Sequence, residues 1–158
     1  MFSVLFVCTG NTCRSPMAEW ISKKYMEEFG LTGQVEVTSA GIAAWAGSAL
    51  SAGASRALAR RQIEERGVHA ARRFNADMLD QADLVLAMTA SQRHSLAREY
   101  PQYQHKIHTL SAYALGVEED IADPYGGGDD FSYEAAARQI DEACRGLLRK
   151  LRAKLGNA

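Results

Sequence analysis

Apolar and polar residues alternate along this chain between short β-rich runs and longer helical patterns. Val4 to Val7, Val35 to Thr38, Leu84 to Ala87 and Lys106 to Leu110 read as strands. The stretches between them repeat every three to four positions. A first helix is predicted after Ser15, with an apolar stripe at Met17, Trp20, Ile21 and Tyr25, ending near Gly30. A second runs from about Ala49 to Glu65, closed by Gly67; Asn75 to Gln81 forms a shorter piece, and Ser91 to Tyr100 another, stopped by Pro101. The last helix carries Ile140, Cys144, Leu147, Leu148, Leu151 and Leu155 on one face, with Arg and Lys gathered toward its C-terminus as the helix dipole prefers. Strands alternating with helices predict an α/β fold: one domain over residues 1–158, a four-stranded parallel sheet with helices on both faces. Ligands of such sheets bind beyond the C-terminal strand ends.

At the end of the first strand stands Cys8-Thr9-Gly10-Asn11-Thr12-Cys13-Arg14-Ser15. Gly10 and Asn11 tolerate left-handed backbone angles, so the loop can curl and turn the amides of Thr9, Gly10, Asn11, Thr12 and Cys13 toward one point. Such a nest binds an anion. Ser15 as N-cap and Pro16 as first helical residue place the loop on the positive end of a helix dipole, which favours phosphate. Arg14 adds a planar, permanently charged fork that can hold two phosphate oxygens. In that field the thiolate form of Cys8 is favoured, so a phosphate-binding loop follows strand one with a nucleophile at its base. A Walker-type loop would need Gly-Lys-Ser/Thr, which is absent, and nucleoside triphosphate binding is disfavoured.

Composition narrows the class. With 158 residues, 47% hydrophobic and 23% charged, the chain is an ordinary globular sequence able to bury a core. Its net charge of −1 gives no bulk attraction to nucleic acid or membrane, and no apolar stretch reaches the ~18 residues of a membrane span. Three cysteines without a secretory signal point to reduced thiols and a cytoplasmic protein, and no Cys/His spacing suggests a metal site or another cofactor.

Asp123-Pro124-Tyr125 precedes a run of three glycines in an acidic neighbourhood. Transfer of a phosphoryl group to Cys8 leaves a basic atom on the substrate, so the reaction needs a positioned acid. Asp123 is the candidate, with Tyr125 as an aromatic wall. The Cys-x5-Arg-Ser loop, Ser39-Ala40-Gly41, Ala82 to Met88 and Asp123-Pro124-Tyr125 together resemble the low-molecular-weight protein tyrosine phosphatases, from Val4 to about Leu155. The resemblance implies a phosphocysteine at Cys8, phosphoryl oxygens held by Arg14, and Asp123 first protonating the leaving group, then activating water. It also implies a strained Asn11 held by hydrogen bonds from Ser15, Ser39 and His69, and a substrate cleft flanked by Trp45.

Two positions depart from the tyrosine-specific pattern. Thr12 stands where that pattern carries a bulkier Ile, and Gly126 replaces a second aromatic after Asp-Pro-Tyr. These features resemble the protein-arginine phosphatase branch, and the expected substrates are phosphorylated proteins, with phosphoarginine favoured over phosphotyrosine. The acidic residues from Glu118 to Glu134 would suit a cationic substrate region. Cys13, five residues from Cys8 in a curled loop, is the candidate redox partner for a reversible disulfide. Cys144 falls on the final apolar stripe and reads as core. The Arg-rich stretch Arg56, Arg60, Arg61, Arg66, Arg72 and Arg73 reads as a solvated face rather than a partner surface. A thiol-coupled arsenate reductase would need relay cysteines between Thr89 and Pro101, where there are none. A phosphoprotein-binding module would need no nucleophile.

Overall fold

The computed structural model describes residues 1–124 and 129–156. Its elements, in chain order, are β1 Phe2–Cys8, α1 Arg14–Glu28, β2 Val35–Gly41, α2 Ala52–Ala59, α3 Ala76–Gln81, β3 Leu84–Ala87, α4 Ala90–Glu99, a 3₁₀ segment Pro101–Lys106, β4 Ile107–Thr109, α5 Leu110–Leu115 and α6 Asp130–Gly156. All strand pairings are parallel, in the order β2-β1-β3-β4. The chain leaves β1 toward one edge and returns past it to the other, so the C-terminal end of β1 lies at the point where the winding reverses. Cys8 is its last residue.

The apolar run of β1 is continuous because both faces are covered. Val4, Phe6 and Cys8 face a layer built from α1, α2, α5 and α6, where Met17, Ile21, Leu58, Leu110, Ile140 and Leu147 are buried. Leu5 and Val7 face the opposite layer with Leu79 of α3 and Leu96 of α4. α2 approaches α6 closely at Gly53, where an added Cβ would run into the Tyr133 ring.

Several boundaries differ from the sequence reading. α1 begins at Arg14 with Cys13 as N-cap, so Ser15 lies inside the first turn. Proline is tolerated there because the first-turn amides have no intrahelical acceptor, and the Ser15 hydroxyl is drawn into the loop instead of capping. The long second helix is cut to Ala52–Ala59, with Ser51 as its N-cap. Beyond it, Gln62, Arg66 and Gly67 adopt left-handed angles. Helix propensity yields here because Ile63 is buried in the core and the chain must return to the end of β2, where Gly41 pairs with Arg73. β4 is shorter than its apolar run because Thr109 caps α5, accepting a hydrogen bond from the Ala112 amide; Gly116, left-handed, ends that helix. No helix among the described residues is long and apolar enough to cross a membrane.

Candidate active site

The loop from Cys8 to Cys13 is fixed through its carbonyls. The Ile42 amide donates to Cys8 O, Ala43 to Thr9 O and Ser51 to Thr12 O, each at 2.9 Å. His69 Nε2 lies 2.7 Å from Asn11 O. Every peptide described is trans. Across a trans peptide the next N–H points opposite to the carbonyl, so the amides of Thr9, Gly10, Thr12 and Cys13 are turned away from the scaffold. The loop is thus a cradle of donors. Its close seating requires Gly41, since an added Cβ would stand 2.7 Å from Thr9 O and 2.9 Å from Asn11 N.

Asn11 is the keystone. It is fully buried with φ 55°. Its Nδ2 donates to Ser15 Oγ and to Ser39 Oγ, both at 2.9 Å, and its Oδ1 accepts from the Arg72 amide at 2.8 Å. Asn11 therefore donates to the two serines rather than accepting from them. The Ser39 hydroxyl in turn donates a hydrogen bond to Glu19 Oε1, at 2.7 Å. Ser15, already accepting from Asn11, has its hydrogen free to donate to Cys8 Sγ, 2.9 Å away. The Asn11 amide donates to the same sulfur at 3.3 Å.

Arg14, nearly buried, reaches across to the acid segment. Nη1 donates to Ile121 O at 3.1 Å, and Nη2 lies 3.5 Å from Asp123 Oδ2. Its buried Nε has no hydrogen-bond partner among the described residues, which leaves a donor for an anion. Asp123 itself is half exposed. The segment before it is held by the Ile121 amide donating to Met88 O and by Asp120 Oδ1 accepting from the Ala90 amide.

A cavity of about 310 Å³ opens over the sulfur, lined by Cys8, Thr9, Gly10, Thr12, Cys13, Arg14, Ala43, Trp45, Ser48 and Asp123. Trp45 is 84% exposed, so it stands at the mouth of the cleft and not in the core. Tyr125, and Gly126 with it, lie outside the described residues. Cys13 is a buried free thiol; burial first, and the neighbouring Cys8 charge second, push it up to about 11. Cys144 is buried on α6 against Ala18 O, and burial pushes its thiol up to about 12. Among the described residues no cluster of His, Cys, Asp or Glu is placed to hold a metal ion.

Part of the acidic neighbourhood is already engaged. Asp130 pairs with Arg56 and Arg60, and Glu134 with Arg60 and Arg61. Those arginines therefore tie α2 and the residues just after it to α6 rather than forming a wholly solvated face. Sequence reasoning missed Glu19, Arg72 and Gln92. Glu19 stands one turn after Ser15 on the same helix, a visible signal, whereas Arg72, through its amide on Asn11 and its Nε on Ser39 O, left none. Gln92 belongs to a capping box with Thr89 that the sequence displays, but its Nε2 also donates to Thr9 Oγ1 at 3.2 Å, a tie no local pattern reveals.

The sequence profile described as "Low molecular weight phosphotyrosine protein phosphatase" matches residues 3–157. A protein-arginine-phosphatase of Bacillus subtilis is 37% identical, with 94% of this chain and 96% of the relative covered. A low molecular weight protein-tyrosine-phosphatase of Streptomyces coelicolor is 35% identical, with 96% and 94% covered. A solved arginine phosphatase, a cysteine-to-serine mutant with a phosphorylated active site serine, superposes with a TM-score of 0.88 at 35% identity, covering 95% of each chain.

Proposed function

The chain belongs to the low molecular weight phosphotyrosine protein phosphatase family, and from that premise we propose that it hydrolyses phosphoarginine in proteins through a phosphocysteine at Cys8. The observation that carries this reading is the cradle itself: a sulfur accepting hydrogen bonds from the Asn11 amide and Ser15, below donors from Thr9 to Cys13, with Arg14 bridging to Asp123. Cys8 Sγ attacks phosphorus in line with the P–N bond. As that bond breaks, Asp123 gives its proton to the departing guanidine nitrogen. Arg14 and the loop amides hold the three equatorial oxygens, over which charge is spread in the transition state. In the second step Asp123, now a carboxylate, takes a proton from water. The water oxygen bonds to phosphorus, the P–S bond breaks, and inorganic phosphate leaves the Cys8 thiolate behind. Asn11, Ser15, Ser39 and His69 keep the loop preorganised, and Trp45 flanks the substrate side chain.

Preference for a guanidinium rests on Thr12, whose side chain lines the cavity beside Trp45 and Asp123. A hydroxyl can accept from an N–H that a phenyl ring lacks, and the Bacillus relative is named for arginine. Phosphotyrosine is the second reading, favoured by the exposed indole of Trp45, which can stack on a phenol as well as on a guanidinium plane. Turnover of matched phosphoarginine, phosphotyrosine and phosphoserine peptides separates them. The expected order places phosphoarginine first by kcat/KM, and Thr12→Ile shifts the ratio toward phosphotyrosine; a reversed order in the wild type refutes the assignment.

Cys13 is proposed as the resolving thiol. Peroxide converts the Cys8 thiolate to a sulfenic acid and is reduced to water. Cys13 then displaces hydroxide from that sulfur, releasing a second water and closing a disulfide. Three free thiols fit a reducing compartment, the cytoplasm.

A further inference from the structure

One side chain on α6 makes three polar contacts with the segment that delivers Asp123. Gln139 Oε1 accepts from the Ala122 amide at 3.0 Å, while its Nε2 lies 3.2 Å from Glu119 Oε1 and 3.3 Å from Asp120 O, donating to both. Ala122 is the residue before Asp123, so the first of these bonds fixes the Ile121–Ala122 peptide plane, one peptide before the acid's own. Other ties on this segment come from α4, the end of β3 and Arg14: Asp120 accepts from the Ala90 amide, the Ile121 amide donates to Met88 O, and Arg14 donates to Ile121 O. Gln139 is the contact that comes from α6, 17 residues beyond Ala122 and past the acid. It clamps the backbone with both ends of one amide, a geometry that a carboxylate or an ammonium could not supply, since it must donate and accept at once.

We propose that Gln139 is a positioning residue for the proton-transfer step, acting through Asp123 and touching neither substrate nor phosphate. The proposal rests on Asp123 being the general acid. A misplacement of about 1 Å at a reacting group can cost a large factor in rate, and Ala122 released from α6 would loosen the backbone that carries Asp123. In kcat/KM, which reports the first step and not the hydrolysis of the phosphocysteine common to every substrate, the loss should then fall on substrates whose leaving group needs a proton and spare those that depart unaided. A residue that merely supports the fold would lower every rate alike.

The test is a series of aryl phosphates with leaving groups from weakly to strongly basic, assayed with wild type, Asp123→Asn, Gln139→Met, Gln139→Ala and the double variant Asp123→Asn/Gln139→Met. Methionine and alanine both suit a helix interior; folding is verified by circular dichroism, and the alanine variant carries the test if the methionine variant is unfolded. The Gln139 variants are expected to lose about tenfold in kcat/KM for the most basic leaving group. For the least basic, kcat/KM should remain near wild type. The double variant should be no steeper in its leaving-group dependence than Asp123→Asn alone. A wild-type dependence in both folded Gln139 variants, an equal loss across the series, or further steepening in the double variant overturns the proposal while leaving Asp123 as the acid. A wild-type dependence in Asp123→Asn overturns the acid assignment, and this inference with it.

Discussion

Asn11, on one side of the cavity, is fully buried and makes hydrogen bonds to four other residues of the scaffold; Asp123, on the other side, is 53% exposed at its side chain. The cysteine loop is held at carbonyl after carbonyl, so its donors already converge before an anion arrives, and little reorganisation is left for the reaction. Asp123 is reached through backbone ties upstream and through Arg14. The difference suits the proposed roles. In the proposed mechanism a cradle for three equatorial oxygens works by being stiff, whereas an acid that gives up a proton and later takes one from water needs access to solvent.

Arg14 is where the two regions meet, and breaking it should have the largest effect. Arg14→Lys keeps the charge but loses the fork that binds oxygens and Ile121 O together, and kcat is expected to fall by about 10²- to 10³-fold in steady-state assays. A loss under about fivefold would mean that the cradle works as a point charge. Asn11→Ala attacks only the stiff side: it strands the Arg72 amide and two serines and places alanine at a left-handed angle. Stability should drop by about 2–3 kcal/mol in urea denaturation, with weaker binding of inorganic phosphate. Unchanged stability with lost phosphate binding would show that the network is tuned for the ligand alone.

Cys13 sharpens the comparison most gently, because it belongs to the stiff side yet would have to move sulfur to sulfur. Burial and the Cys8 charge raise its thiol to about 11, so it is neutral at pH 7 and gains thiolate as pH climbs toward that value. Oxidation of Cys8 removes the second cause but leaves the burial. Disulfide closure after a peroxide pulse, followed by mass spectrometry under acid quench, should therefore be slow at neutral pH and accelerate across the alkaline range. A rate independent of pH would exclude the Cys13 thiolate as the resolving nucleophile.

The same contrast explains what could be read from the chain. The cysteine loop was legible because its chemistry is local: thiol, turn-formers and arginine lie within eight residues, and strand alternation places Cys8 on its face of the sheet. The strands themselves were legible for the same reason, β3 down to its boundaries. The second helix was overread because Arg60 to Glu65 has good helix formers, and only tertiary packing, the burial of Ile63 and the return to β2, shows why the chain breaks there. Support for the acid was illegible for a different reason. Arg14 meets Ile121 across 107 positions, and Ala122 meets α6 across an undescribed stretch; neither contact has a period or a spacing that a local pattern can detect. Glu19 lay within reach of inspection, one turn from Ser15, while the Arg72 amide could be found only in three dimensions.

Delivery of phosphorus by the cradle to the Cys8 sulfur is checked by acid-quenching the enzyme in mid-turnover of a phosphoarginine peptide and locating the phosphoryl group by mass spectrometry. A phosphoryl group is expected on Cys8, with neither that adduct nor turnover in Cys8→Ala. Steady turnover in Cys8→Ala, or a phosphoryl group trapped on a different residue, would contradict it.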